Sequence, residues 1–228
     1  LYQDLMKSIF TEAKKRAPYL GGETVKYVAL HYSQQTRDFR LSKTPQNCLK
    51  VVKGAYEMLN QSHLLLATVF DEQLTPEKLS PYKVLFLSNS ACLSENQCEQ
   101  IRRFVEAGGT LIATHETSLL DELGRKRENF QLADVLGVNY VGPQGDGAAQ
   151  GVVYVPHHEA LSREFGYVIC FAGEESTVSL RPGTAASVLC TRTSLKGKSP
   201  LNNFDLKRND DSGERTGTVH RCGKGECV

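Results

Sequence analysis

Polar residues cluster at the ends of three apolar segments of the chain. Residues 33–38, 88–91 and 114–118 each follow a short apolar run, and the third stretch is the most polar. It places His115 beside Glu116, and a histidine next to a carboxylate at a turn could carry out acid–base chemistry. The other interpretation, which we favour, is that these groups cap the turn and bond to one another or to water.

A second cluster, His157, His158 and Glu159, follows an apolar stretch in the second half of the chain. A His-x-Glu pair belongs to the Cys-His-Glu triad of glutamine amidotransferases, which also needs a nucleophilic cysteine at a strand-to-helix elbow. The elbow after residues 110–114 offers His115 and no cysteine. We therefore expect the two neighbouring histidines to be loop residues outside any triad.

Other kinds of site have weaker support. The Gly-rich residues 142–147 contain no G-x-G-x-x-G or Walker pattern for a phosphate, and sequence-adjacent acids such as Glu174 and Glu175 usually point apart. Zinc sites need ligands at short paired spacings, and the seven cysteines contain no CxxC pair. A zinc knuckle at Cys222 and Cys227 stays open as an alternative. We favour reduced thiols and expect no metal and no cofactor.

The composition excludes several classes of partner. The 228 residues include 27 Lys and Arg against 26 Asp and Glu, a formal charge of +1, which gives no electrostatic case for nucleic acid or an anionic membrane. Hydrophobic residues at 40% and charged residues at 23% are typical of a soluble globular chain. No apolar run approaches the roughly 20 residues of a membrane span, and no signal peptide is visible. We expect a cytoplasmic protein. Because the chain opens on Leu1, we also expect a fragment or a processed product.

The elements that position the polar clusters alternate between strand and helix. Apolar, β-branched runs predict strands at residues 25–31, 64–70, 84–87 and 110–114, and helical spacing of apolar residues predicts helices before and between them. Ser94 and Gln97 form a capping box that opens one helix, and Gly108-Gly109 ends it. This alternation predicts a parallel sheet with helices on both faces. The polar clusters then lie together at the carboxyl ends of the strands.

The second half of the chain has a different pattern. Strands are predicted at residues 152–155, 167–171, 187–191 and 218–221, and Gly223-Lys224-Gly225 predicts a hairpin turn. Residues 196–215 are polar, and we expect a long surface loop there. The predicted core is apolar and comes from the first half: Val28, Leu30, Val84, Phe86, Ile101, Val105, Leu111, Ile112 and Ala113.

Several motifs of residues 82–138 occur together in a known family. They are Leu-Ser-x-x-Gln, Arg-x-Phe-Val, Ala-Gly-Gly-x-Leu and Glu-Thr-Ser-Leu, in that order. The stretch resembles the trimerisation domain of family 42 β-galactosidases, and it is closer still to the same module of related bacterial multidomain glycosidases. Residues 28–40 and the final VHRCGKGECV also resemble that module, so the resemblance covers most of residues 20–140 and the last ten.

The resemblance implies a flavodoxin-like, class I glutamine amidotransferase-like fold that has lost amidotransferase catalysis. It implies that the glycosidic acid and nucleophile lie on a preceding TIM barrel, which this chain lacks. Residues 1–20 would then be a connecting helix, and residues 21–228 a C-terminally truncated trimerisation domain that carries the polar loop 196–215. That loop and the cysteines at positions 222 and 227 depart from the family pattern.

The resemblance leads us to expect a non-catalytic accessory and oligomerisation module of a β-galactosidase-like glycoside hydrolase. Its partners would be its own upstream barrel, further copies of itself, and the carbohydrate substrate of the full-length glycosidase. A trimer is one of the assemblies considered. A ligand or interface site is expected at the strand ends, formed by Ser33, Arg37, Asp38, Asn89, His115, Glu116 and Ser118. We expect the Glu116 carboxylate to accept hydrogen bonds from backbone or hydroxyl groups, or from Arg125 or Arg127.

Two alternatives stay open at this point. One is a self-contained hydrolase or amidotransferase of the same fold that uses Cys92 or His115, which would require a thiol of low pKa or a suitably placed imidazole. The other is a small-molecule-binding module with its ligand in the crevice at the strand ends.

Overall fold

The computed structural model describes residues 2–22, 25–40, 45–144, 151–163, 168–171, 175–196, 207–208 and 214–228. Within these residues the helices are α1 (Tyr2–Arg16), α2 (Pro45–Gln61), α3 (Pro76–Leu79), α4 (Glu95–Glu106), α5 (Ala133–Leu136) and α6 (Glu159–Ser162). The strands are β1 (Val28–Tyr32), β2 (Leu66–Phe70), β3 (Val84–Leu87), β4 (Thr110–Ala113), β5 (Val138–Gln144), β6 (Gly151–Pro156), β7 (Val168–Phe171), β8 (Glu175–Leu180), β9 (Ser187–Lys196), β10 (Lys207–Arg208), β11 (Glu214–Cys222) and β12 (Gly225–Cys227). Among the described helices, none has the length and apolar character to cross a membrane.

The first half of the chain forms the predicted parallel sheet. Its strands run in the order β2-β1-β3-β4, with every neighbouring pair parallel. β12 then adds in parallel on the far side of β4. Short apolar strands joined by helical crossovers favour this arrangement, because parallel strands are covered on both faces. The prediction of a mixed α/β chain with a mostly parallel sheet is therefore confirmed.

Alternate residues of each strand pack on opposite faces of the sheet, as the period of two requires. Ala29, Leu85 and Leu111 point to one face, where they pack with Ile101 and Val105 of α4. On the other face, strand residues pack against α2 in a second cluster. Its strand members are Val28, Leu30 and Phe86, and its α2 members are Ala55 and Leu59. Of the nine predicted core residues, six are buried, and Val84, Ile112 and Ala113 are half-buried against these clusters.

Helix α4 begins and ends where its sequence predicts. The Ser94 hydroxyl accepts a hydrogen bond from the Gln97 backbone N–H, and the Gln97 side chain accepts one from the Ser94 N–H. Together these bonds satisfy two backbone donors that the first turn of a helix leaves without partners. Gly108 ends the helix with a φ of 111°, a conformation that glycine adopts without steric cost.

The second half of the chain is antiparallel. β12 returns from β11 through the predicted hairpin turn, and the sheet continues through β9 and β6 to β7. β5 and β8 form a separate two-stranded sheet, which the sequence analysis missed. β5 contains Gly142 and Pro143, two residue types that are rare inside strands, and it bulges between Tyr140 and Gly142. β8 is rich in hydroxyl residues, so neither strand has a strong apolar signal.

Two predicted loops differ from expectation. The polar stretch that begins at residue 33 after β1 does not form an extended loop, because residues 34–40 coil into helical turns, with π-helical geometry over Thr36–Arg40. The loop predicted at residues 196–215 includes the short strand β10, whose two residues pair with Lys196 and Leu195 of β9. Residues 197–206 and 209–213 of that loop lie outside the described residues.

Helix α1 has the predicted amphipathic spacing, yet none of its residues is buried. The exposed fractions of Leu5, Ile9 and Phe10 are 57%, 51% and 61%. An apolar stripe of this kind normally packs against another element. Its exposure shows that, within the described residues, α1 contributes little to the core.

The packing on the α4 face yields a stability prediction. Ile101→Ala should lower the free energy of unfolding by about 2–5 kcal/mol, because Ile101 is fully buried and a cavity would replace its side chain. Chemical denaturation followed by circular dichroism measures the change. Ile9→Ala on the exposed face of α1 is the matched control and should leave the midpoint nearly unchanged. An unchanged midpoint for Ile101→Ala would contradict the packing described here.

Candidate functional site

Four loops meet at the carboxyl ends of the parallel strands. Residues 33–40 follow β1, residues 71–75 follow β2, residues 88–94 follow β3, and residues 114–120 follow β4. Because parallel strands end at the same edge of their sheet, these loops are neighbours in space although they are far apart along the chain. The predicted site residues all lie in three of these loops.

The loops after β3 and β4 are bonded to each other along their length. The Asn89 N–H donates to the Thr114 hydroxyl at 2.9 Å, and the Glu116 N–H donates to the Asn89 side-chain oxygen at 3.3 Å. Farther along, the Ser118 N–H bonds to the Ser90 carbonyl. These bonds satisfy the backbone of both loops and fix their relative position.

Three residues of these two loops have left-handed backbone conformations. The φ angles are 51° at Asn89, 54° at His115 and 65° at Ser118. Asparagine tolerates this region, whereas an ordinary L-residue such as histidine is held there at a cost of roughly 1–2 kcal/mol. The turn after β4 is therefore strained at His115. No helix follows it within residues 119–132, so it is not the expected strand-to-helix turn.

A buried polar chain lies beneath the loops. His31 at the end of β1 is fully buried, and its Nδ1 lies 2.7 Å from the Ser90 hydroxyl. Its Nε2 lies 3.2 Å from Asp71 Oδ1, close enough for attraction although the alignment falls short of an ideal hydrogen bond. The other carboxylate oxygen of Asp71 accepts the backbone N–H groups of Gln34 and Gln35 at 2.7 and 3.1 Å. One carboxylate thus ties the loop after β1 to the loop after β2.

The environment of Asp71 favours its charged form. Burial alone would raise the pKa of this carboxyl group, but the neighbouring His31 imidazole, the Gln35 N–H and the Ser33 hydroxyl outweigh burial. The net result is a pKa below the ordinary value. Asp71 is therefore an ionised carboxylate that stabilises the fold through its hydrogen bonds.

Glu116 is held by an arginine from another loop. Its carboxylate accepts two hydrogen bonds from Arg40, at 2.7 Å from Nε and 3.3 Å from Nη2, in a fork-to-fork arrangement. The expected donors were backbone or hydroxyl groups, or Arg125 or Arg127, whereas the donor in the structure is Arg40. Arg125 pairs with Asp121, and Arg127 donates to the backbone carbonyls of Ser118, Leu120 and Leu93.

A cavity of about 420 Å³ opens beside these loops. It is bounded on one side by the ends of β3 and β4 and on the other by β5, β8 and β11. The polar lining residues are Asn89, Thr114, His115, Thr117, Ser176 and Thr218. The apolar lining residues are Val51, Ala113, Phe130, Leu136, Val138, Val178 and Val228, with Gly217 completing the wall.

The predicted site residues fall into different environments. Asn89 and His115 line the cavity, and the Ser176 hydroxyl lies 3.1 Å from His115 Nδ1. Ser33 and Ser118 are buried in the loop packing, while Arg37 and Asp38 form an exposed ion pair. The opposite wall could not be predicted from the sequence, because Ser176 and Val178 lie on the unpredicted strand β8 and Phe130 packs against β5 and β8.

The three buried thiols, those of Cys92, Cys98 and Cys227, are poorly suited to nucleophilic chemistry. Burial raises the pKa of the Cys92 thiol to about 11, although the Thr36 hydroxyl acts against this shift. Burial likewise raises the pKa of Cys98 and of Cys227 to about 12. A thiol with such a pKa is protonated at neutral pH, and the thiolate is the nucleophile.

His157 and His158 are exposed, and His157 Nε2 lies 2.6 Å from the Thr191 hydroxyl. No cluster of three metal-ligating side chains occurs within the described part of the chain.

No family model matches the chain, and no curated protein matches it. Several solved structures match the chain. A β-galactosidase from Bacillus circulans sp. alkalophilus matches over 91% of this chain and 28% of its own, with a TM-score of 0.71 and 18% identity. A catalytic mutant of Gan42B, a GH42 β-galactosidase from G. stearothermophilus, matches over 99% and 30%, with a TM-score of 0.73 and 15% identity. A putative ThuA-like protein from Bacteroides uniformis matches over 91% and 82%, with a TM-score of 0.59 and 14% identity.

These likenesses show a shared fold. The chain spans less than a third of the length of the β-galactosidases that it matches. In those proteins its fold is therefore one part of a larger molecule. The ThuA-like protein shows that the same fold also makes up most of a smaller chain.

The Arg40–Glu116 pair generates a test of the loop packing. Glu116→Gln keeps the shape but loses the charge, and it should lower the free energy of unfolding by about 1–2 kcal/mol. Glu116→Ala should cost more, because it removes both hydrogen bonds that the carboxylate accepts from Arg40. Thermal and chemical denaturation measure both effects. Asp38→Asn removes a carboxylate from an exposed ion pair and should change stability little. Equal effects of Glu116→Ala and Asp38→Asn would contradict this assignment.

Asp71 generates a prediction about acid stability. Because its folded pKa is depressed, its ionised form stabilises the fold above the unfolded pKa, and this contribution is lost as the pH falls below about 4. Asp71→Asn should be less stable at neutral pH and should show a flatter decline in stability in acid. Denaturation curves measured from pH 7 downward give the comparison. Glu57→Gln on the exposed side of α2 should retain the wild-type decline, and a wild-type decline in Asp71→Asn would contradict the prediction.

Proposed function

We propose that this chain is a non-catalytic module of a glycoside hydrolase of the β-galactosidase type. The observation that carries the proposal is the coverage of the structural matches, which extends over 91–99% of this chain but only 28–30% of the β-galactosidases. The motifs of residues 82–138 support the same family. In this proposal the fold is flavodoxin-like and related to class I glutamine amidotransferases, and the catalytic carboxylates lie on an upstream TIM barrel.

The structure supports a role in assembly through two surfaces. The first is α1, whose apolar stripe lies exposed and would pack against an upstream barrel, with residues 1–20 as the connection and residues 21–228 as the module. The second is the loop after β1, where Arg37 and Asp38 are exposed beside the cavity-forming loops. We propose that this loop edge meets a neighbouring copy in a homo-oligomer, with a trimer as the form to test, and approaches the sugar site of that neighbour.

The chemistry of the loops supports a non-catalytic role. A cysteine-dependent amidotransferase needs an accessible thiolate. The strained elbow after β4 carries His115, and Cys92 is buried with a pKa of about 11. The buried free thiols fit a reducing compartment, and we propose the cytoplasm.

A three-part experiment tests the proposal. The coding sequence upstream of Leu1 should encode a TIM barrel with two carboxylates at strand ends, and the full product should hydrolyse an aryl β-galactoside. The isolated chain should hydrolyse neither this substrate nor glutamine, and native Cys92 should resist a glutamine-mimic alkylating agent. Sedimentation of the full product should show an oligomer. The absence of an upstream barrel, or turnover by the isolated chain that is lost in Cys92→Ala, would overturn the proposal.

A further inference from the structure

Strand β2 forms one end of the sheet. It pairs with β1 on one side, and among the described residues no strand pairs with its other side. Along a strand, successive residues direct their N–H and C=O groups to opposite sides. The Leu65 carbonyl accepts the Val28 N–H of β1, so the outward groups are those of Leu66 and Thr68. The sheet therefore ends in a short row of outward backbone donors and acceptors.

The carboxyl end of this edge is already satisfied. The Phe70 N–H also points outward, and the Gln73 side-chain oxygen accepts its hydrogen bond at 2.9 Å. Within the described part of the chain, no backbone hydrogen bond joins Leu66 or Thr68 to an element on the outer side of β2. The open part of the edge is thus the middle of the strand, where Leu66 and Thr68 are separated by Ala67.

The residues around this edge lack the usual protection against strand pairing. Edge strands of monomeric proteins commonly carry charged side chains, prolines or bulges. Residues 62–70, SHLLLATVF, contain no Lys, Arg, Asp, Glu or Pro. The Leu65 and Thr68 side chains are exposed, and so is that of Tyr27, which precedes the registered pair of Val28 and Leu66. An uncharged edge of this kind, flanked by apolar side chains, favours a β-strand as its partner.

Helix α2 extends the surface beside the edge. One flank of this helix carries Val51, which lines the cavity beside β4. At 100° per residue, the opposite flank, on the β2 side, carries Leu49, Lys53 and Tyr56, whose side chains are exposed. Glu57 lies one turn beyond Lys53 and forms an exposed ion pair with it at 3.4 Å. The surface next to β2 therefore combines apolar side chains with charges of both signs.

A second copy of this chain fits the edge through a twofold axis at Ala67. In an antiparallel pair about that axis, Leu66 faces Thr68 of the second copy, and each such pair exchanges N–H···O=C bonds. The register thus uses the residues whose backbone groups point outward. The same axis makes the two α2 helices antiparallel, so the Lys53 side of one helix lies toward the Glu57 side of the other and opposite charges face each other. The contact is closed, because it uses the β2 edge of both copies.

We propose that two copies of this chain associate through their β2 edges in an antiparallel, twofold contact. This contact lies at the side of the sheet. The assembly surface of the proposed function is instead the loop after β1, which carries Arg37 and Asp38 at the carboxyl ends of the strands. The two contacts can therefore hold or fail separately.

Sedimentation and hydrogen exchange of the whole chain test the contact. The chain should show a monomer–dimer equilibrium at concentrations up to roughly 100 µM. The amides of Leu66 and Thr68 should exchange about tenfold more slowly by NMR at a concentration where the dimer predominates than in the dilute chain. Ala67 and Val69, whose N–H groups face β1, are the internal control and should exchange nearly equally at both concentrations. A monomer throughout, or a dimer without slowed exchange at Leu66 and Thr68, would overturn the proposal.

Variants of one exposed residue assign the edge. Thr68→Pro removes an outward N–H and no bond to β1, so the fold should be retained, because proline is tolerated at such edge positions. It should raise the dissociation constant of the dimer by about tenfold or more. Thr68→Val keeps the N–H and is the matched control, which should associate as the wild type does.

Circular dichroism checks that each variant is folded. If Thr68→Pro fails to fold, Thr68→Lys replaces it, since it places like charges on both sides of the twofold axis. The dimer of that variant should weaken at low salt and recover in part at high salt, where the repulsion is screened. Association equal to that of the wild type in the folded proline or lysine variant would contradict the assignment.

Discussion

The arrangement of the loops depends on one buried polar chain, Ser90–His31–Asp71. Each member follows or ends a different parallel strand, so the chain joins β1, β2 and β3 at their carboxyl ends. Buried polar groups are costly unless they are paired. Here the cost is offset because Asp71 also accepts two backbone N–H groups of the loop after β1, and its own carbonyl accepts the Gln97 amide. A substitution in this chain would therefore leave several donors or acceptors buried without partners.

The remaining loops are held in place above the Ser90–His31–Asp71 chain. The segment after β4 bonds along the segment after β3, and the Arg40–Glu116 pair then clamps the loop after β1 onto both. The left-handed backbone at Asn89 and the strain at His115 persist because these bonds over-determine the backbone. The cavity wall formed by these residues is thus held in place by the protein's own hydrogen bonds.

The sequence predicts the parts of the fold whose signals are local. Continuous apolar runs locate β1 to β4, and the Ser94–Gln97 capping box locates the start of α4. Long-range pairings carry no such signal. Glu116 pairs with Arg40, which is 76 residues away, although Arg125 and Arg127 are closer along the chain. β5 and β8 combine glycine, proline and hydroxyl residues and pair with each other, so the part of the cavity wall that these two strands form could not be predicted.

The turn after β4 has the left-handed backbone of a nucleophile elbow but carries no cysteine. Its side chain is an imidazole, and the nearby thiol of Cys92 is buried and protonated at neutral pH. Strain of this kind lowers stability and is retained where the position it enforces is useful. With no cysteine at the turn, what the conformation provides is a fixed imidazole facing a cavity with an apolar wall. At this turn the left-handed backbone therefore fixes the position of the imidazole beside the Ser176 hydroxyl and does not present a thiol for nucleophilic attack.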